Sequence, residues 1–318
     1  MHPDSSPVAD GTGRRRLHAR RAWVSLPALL TLALLALDAP ADPQPPAGAG
    51  PGNSVTIEAA RKRGEVEQQI SHFVSSITVN AMEEPLARWQ TPICPLVSGL
   101  SLEQGEFVLG RVSQIAHDAG APLDARDCKS ANLLIIVAED PQELLKQWWQ
   151  RYSWQFNDDR GIAGIKRFVG ASRTVRVWYN VFSQCVGHAG SVMIKPSGII
   201  VSSCSKVGMS TRLRYENGMM LRVLRSAMVV VDARQTHGLQ LGQLSDYVAM
   251  LALAHIREDA DPGDGPTILH LFGGSEGDKP LSLSRWDQDF LSALYHTDPG
   301  SAARLTEIKN RMFRDLVP

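Results

Sequence analysis

The sequence predicts an α+β domain in which a small central sheet carries helices packed on it. Two sharply marked helix starts, at Ser101 and Asp140, bracket one short apolar run, "NLLIIVA" (Asn132 to Ala138). Further β-rich runs occupy the middle of the chain, and apolar helical patterns crowd its C-terminal third. No repeat of solenoid period is visible.

The N-terminus comes first. Arg14, Arg15, Arg16, Arg20 and Arg21 form a positive start, followed by the apolar run "AWVSLPALLTLALLALDA" and the small residues Ala39-Pro40-Ala41. This order is that of a secretory signal peptide over residues 1–41, cleaved after Ala41 or Ala39. The alternative is an uncleaved signal anchor, because the run approaches the ~20 residues that span a bilayer. No cysteine lies near the cleavage point, which argues against a lipoprotein anchor. Residues 42–55, rich in Pro, Gly and Ala, read as a flexible linker. Residues 56–318 read as a single exported domain.

Within that domain, Val66, Ile70, Phe73 and Val74 have helical spacing, and the expected helix runs from Gly64 to Ser76. Ser101 and Gln104 form a capping box, and Gly120 is the expected left-handed stop. "NLLIIVA" is nearly continuous in apolar residues, as in a strand buried on both faces. Asp140, Pro141 and Glu143 supply an N-cap, a first-position proline and a first-turn acid. "TVRVWYNV" (Thr174 to Val181) alternates as a strand, and Pro196-Ser197-Gly198 joins two short runs as a hairpin. "RSAMVVVDA" (Arg225 to Ala233) reads as a strand or a buried helix segment. The longest apolar helix is expected from about Leu239 to Ile256.

Lys+Arg and Asp+Glu number 33 each. Setting aside the five arginines and three aspartates of residues 1–41 leaves 28 basic and 30 acidic side chains. That balance offers no basic footprint for nucleic acid and no polybasic face for lipid, so membrane contact is expected only through an uncleaved N-terminal segment. In an oxidising compartment Cys94, Cys128, Cys185 and Cys204 pair, with three possible connectivities. Sequential pairing, Cys94–Cys128 and Cys185–Cys204, is expected because each pair flanks one local unit. A nucleophilic Cys185 beside His188 is the functional alternative, which the compartment disfavours.

"QLSDYVAM" (Gln243 to Met250) lies where a zincin would carry its metal-binding helix. There, two His at i and i+4 hold Zn²⁺ and the Glu beside the first acts as general base. Ser245-Asp246-Tyr247-Val248-Ala249 aligns over that motif but keeps only an acid. Neither a methyl group nor a neutral hydroxyl replaces imidazole as a strong ligand. Downstream, "PTILHLFGG" (Pro266 to Gly274) and "LSLSRWDQDFLSALYHTDPG" (Leu281 to Gly300) resemble the turn and closing helix of matrixin-like enzymes. In the latter, Ser284 caps a helix with Asp287 in its first turn and Phe290, Leu291, Leu294 and Tyr295 on its buried face.

"LARWQTPICPLVSGL" (Leu86 to Leu100), "CKSANLLIIVAEDPQELL" (Cys128 to Leu145) and "MVVVDARQTHGLQLGQLSDYVAMLALA" (Met228 to Ala254) extend the likeness. Through them the body resembles uncharacterised exported proteins of Gram-negative bacteria, some of which keep a His-Glu pair on the corresponding helix. The resemblance implies a zincin-like C-terminal half and export, with the metal ligands lost.

The expected function is therefore that of an exported, periplasmic or secreted, non-catalytic binding or structural module of the cell envelope, with no cofactor. The candidate cleft residues are Asp246, Tyr247, Gln243 and His237. The alternative is a divergent metal-dependent hydrolase using Asp246, with His237 and His270 as non-standard ligands; His255 and His296 complete the histidines of this region. "EDADPGDG" (Glu258 to Gly265) breaks the EF-hand pattern and reads as a solvated turn. Trp148, Trp149, Trp154 and Trp178 read as core, with an aromatic binding shelf as the alternative.

Overall fold

Strand β5 (Met219–Asp232) organises the molecule, because three other strands pair with it. The computed structural model describes residues 51–79, 86–123, 128–156, 160–186, 219–273, 279–298 and 304–317. On one edge of β5 lie β1 (Arg88–Trp89), in register with Val223 and Leu224, and further along β3 (Leu133–Ala138), matched with Ala227 to Asp232. Both run parallel to β5, and β2 (Pro95–Ser98) adds in parallel to the outer side of β3. On the opposite edge β4 (Val175–Val186) runs antiparallel along nearly the whole of β5, with a bulge at Asn180/Val181.

Alternation sorts the strand residues to two faces. Ile136, Trp178, Met228 and Val230 point to the smaller face, where they meet Leu145 of helix α3 (Pro141–Arg151) and Ile165 and Phe168 of α4 (Gly161–Gly170). Leu133, Ile135, Val175, Tyr179, Val229 and Val231 point to the larger face. That face is covered by α1 (Pro51–Ile77), α2 (Leu102–Ala119), α5 (Leu241–Leu253), α6 (Arg285–His296) and α7 (Arg304–Leu316). Burial from both sides explains the unbroken apolar run of β3. Burial of the β-branched Val229 to Val231 on both faces likewise makes Arg225 to Asp232 strand, resolving the strand-or-helix alternative.

The caps form as the sequence predicts. Ser101 accepts from the Gln104 amide, the Gln104 side chain accepts from the Ser101 amide, and Gly120 ends α2 at φ 78°. Asp140 caps α3 through the Glu143 amide at 3.0 Å. Ser284 and Asp287 form a capping box at the start of α6, where Phe290, Leu291 and Leu294 are buried. The Cys94–Cys128 disulfide joins the segment before β2 to the one before β3, with Cα atoms 5.4 Å apart. The expected Cys185–Cys204 bridge and the turn at Pro196-Ser197-Gly198 lie outside the described residues.

Two expectations are corrected. Helix α1 begins at Pro51, so the end of the segment read as linker is helical and Gly64 sits inside the helix rather than at its start. A mid-helix glycine costs only ~1 kcal/mol, and the buried Ile70, Phe73, Val74 and Ile77 outweigh it. The tryptophans do not share one role. Trp178 is core, 5.4 Å from Phe156 and 5.5 Å from Phe168, whereas Trp154 is exposed.

Candidate functional site

Helix α5 is nearly all apolar, and ten of its residues are buried. The aligned positions of a metal-binding motif fall on its inner side. Ser245 is fully buried and its hydroxyl bonds back to the Leu241 carbonyl at 2.7 Å. Ala249 lies in the core. Asp246, 1% exposed, takes a bidentate bond from Arg111 of α2, Nε to Oδ1 at 2.5 Å and Nη2 to Oδ2 at 2.8 Å. The Leu283 amide donates to its Oδ2 at 2.8 Å. Asp246 thus ties α5 to α2 and to the segment entering α6, and all its visible hydrogen-bonding capacity serves that junction.

One residue further, the chain turns to a different surface. Tyr247 and Leu251, at i and i+4, line a cavity of about 490 Å³. Phe272 meets the Tyr247 ring edge-on at 4.8 Å. Burial pushes the Tyr247 phenol up to about 12, against a smaller downward pull from Arg173. Tyr179 of β4 closes the floor, donating its hydroxyl to the Leu251 carbonyl at 2.7 Å and meeting the His255 ring edge-on at 4.7 Å.

The remaining wall is the outer edge of β4 and the turn that leads into it, with Arg167 and Phe168 of α4 beyond. The Asp232 amide donates to the Thr174 carbonyl at 2.8 Å. Since inward and outward backbone groups alternate along an antiparallel pair, the N–H and C=O of Val175 and Val177 face away from β5. No other described strand pairs that edge. The Tyr179 carbonyl, which also faces out, accepts from Arg160 at 3.4 Å.

Four arginines and one glutamate line the cavity: Arg167, Arg173, Arg176, Arg257 and Glu258. Glu258 is held by Arg160 at 2.8 Å, and Arg257 is bidentate to Asp259 at 2.9 and 2.7 Å. Arg167 and Arg173 are exposed, and neither is in ion-pair contact with a carboxylate among the described residues. Arg176 is buried. Its Nη1 donates to the Val169 carbonyl at the end of α4 at 3.0 Å, and its Nε has no hydrogen-bond partner among the described residues. Burial pushes its guanidinium below the ordinary arginine value, with Asp232 and Asp140 opposing.

The candidate residues therefore separate. Tyr247 lines the cavity; Asp246, Gln243 and His237 do not. Gln243 caps α5, accepting from the Gln240 amide at 2.9 Å and donating to the Pro280 carbonyl at 2.8 Å. His237 is exposed on the link between β5 and α5. His270 Nε2 lies 3.1 Å from the Gly265 carbonyl, and His296 Nδ1 lies 2.9 Å from the Ser292 carbonyl. Among the described residues no three His, Cys, Asp or Glu side chains stand together as metal ligands. Neither Ser245 with Ala249 nor Tyr247 with Leu251 offers the donors a zincin site needs, so the residues do not fit a catalytic zinc. The acids of "EDADPGDG" form local contacts: Asp259 pairs with Arg257, and Asp261 accepts from the Gly263 amide at 3.2 Å.

Sequence reasoning missed Arg167, Arg173 and Arg176. Their signal was present, as three arginines within ten residues that run from the end of α4 into β4. Among the described residues no helix is long and apolar enough to cross a membrane. No model of a protein family matches the chain, and no curated protein and no solved structure matches it.

Proposed function

We propose that the protein is an exported, non-catalytic binding module of the cell envelope with a zincin-like fold, and that it works through the cleft beside Tyr247. One observation carries this reading. Helix α5 directs a phenol and an isobutyl group into the cleft, while its acid is committed to Arg111. A surface built this way holds a ligand by shape and apolar contact and has no group poised to activate water. The basic and apolar N-terminal segment and the Cys94–Cys128 bridge support an exported setting. The order β4, β5, α5, closing helix supports the zincin-like reading. Extended peptide is the ligand that suits the cleft best, because the open β4 edge offers main-chain partners to an added strand.

The test is selection from a random seven-residue peptide library, followed by affinity measurements on Ala260→Trp, which fills the cleft from its partly exposed rim. Selected peptides are expected to bind the unaltered protein and lose at least ~tenfold in affinity on the variant. Equal binding to both would move the site elsewhere. One zinc per chain together with peptide cleavage would replace the reading by a hydrolase.

A further inference from the structure

The cleft has an electrical character that the binding-module reading leaves unspecified. Its arginines outnumber its one acid, and the acid nearest them is already used. Glu258 holds Arg160, and Asp259, just outside the lining, holds Arg257 with both oxygens. Arg173 acts on Asp259 and on the Tyr247 phenol through space, so its charge reaches the apolar wall. Arg167 and Arg176 stand on the other side of the β4 edge, against the end of α4. The α4 carbonyl end takes one nitrogen of Arg176 and leaves its buried Nε unmatched among the described residues. A buried cationic donor without an acceptor is costly unless a partner arrives.

We infer that the cleft selects acidic peptide segments, bound as an added strand on the outward edge of β4 with carboxylate side chains turned toward Arg167 and Arg176. This rests on the cleft-binding reading above and adds the ligand's chemistry. The geometry of an added strand gives the pattern. Its backbone pairs with Val175 and Val177, and its side chains alternate across the sheet plane. Side chains on the α5 side meet Tyr247, Leu251 and Phe272 and should be apolar. Their neighbours on the α4 side meet Arg167 and Arg176 and should be acidic, while Arg173 at the mouth attracts negative charge generally.

Three acetylated and amidated seven-residue peptides test this by fluorescence anisotropy on the purified protein: valine alternating with aspartate, with asparagine, and with lysine. The aspartate peptide is expected to bind about tenfold more tightly than the asparagine peptide, with the lysine peptide weakest. Arg167→Gln combined with Arg173→Gln changes two exposed side chains. The pair should cut the aspartate preference at least about threefold, Arg176 retaining the rest, and an unchanged preference overturns the arginine contacts. An aspartate peptide N-methylated at alternate amides should lose binding, because the charge remains and the strand pairing does not. Equal affinity for aspartate and asparagine peptides overturns the charge selection and leaves the cleft reading intact, whereas no binding by any peptide overturns both. Full binding by the N-methylated peptide, or tighter binding to phosphatidylglycerol vesicles than to the aspartate peptide, overturns the added strand in favour of a nonspecific anion surface.

Discussion

Asp246 and Tyr247 are neighbours on α5, yet the first closes a junction and the second opens onto a cleft. A helix turns about 100° per residue, so consecutive side chains on a buried helix serve different interfaces. Asp246 points to α2 and finds Arg111; Tyr247 turns to the cavity and packs edge-on against Phe272 in its wall. An acid at the expected position on a zincin-like helix speaks to chemistry only once its direction is known. Here the acid holds helices together and the residue beside it faces the cavity.

The largest effect is expected from removing the partner of the buried acid. Arg111→Ala leaves Asp246, 1% exposed in the intact chain, bonded to the Leu283 amide alone among the described residues. The expected loss is about 3–5 kcal/mol of stability, toward the lower figure because Arg111 itself is 40% exposed and water reaches it. Urea unfolding measures it, and a loss below ~1 kcal/mol would mean that the junction is not structural.

A second buried acid behaves differently, because no arginine bonds it among the described residues. Asp287 accepts from Thr267 Oγ1 at 2.5 Å, the Ile268 amide at 2.8 Å and the Ser284 amide at 2.9 Å. Asp287→Ala strands these donors and should cost on the order of 1–3 kcal/mol for each that stays buried unpaired. Burial, partly offset by those bonds, pushes the Asp287 carboxyl above the ordinary carboxylate range. The folded chain therefore holds this proton more tightly than the unfolded chain. The resulting stability is fully present below about pH 4 and is lost as pH rises through the folded value. In Asp287→Asn that part of the pH dependence should vanish from the urea midpoint.

Smaller effects separate the tyrosines. Tyr179→Phe removes the bond to the Leu251 carbonyl and should cost about 1 kcal/mol. Tyr247→Phe removes a hydroxyl that bonds to no described residue and should change stability by less than ~0.5 kcal/mol. If the two cost the same by thermal unfolding, the Tyr247 hydroxyl is a structural group and not part of an open wall.

Much of the fold is legible locally. Ser101 with Gln104, Asp140 with Pro141, and Ser284 with Asp287 are read from three or four adjacent residues and recur as caps. The run at Leu133 to Ala138 is read from its composition, and Cys94–Cys128 from position along the chain. The site is much less legible. Gln243 and Asp246 look like cleft residues on a helical template, but their partners, Pro280 and Arg111, lie 37 and 135 residues away.

Sequence alone set the starts of α2, α3 and α6 and the two-sided burial of β3, because caps and alternation depend on nearest neighbours. Tertiary structure alone decided which side of α5 faces the cavity, which acid is bound by Arg111, and that β4 presents an outward edge with arginines beside it. Those outcomes depend on how helices rotate against a sheet and on contacts between residues far apart in the chain, which local pattern does not encode.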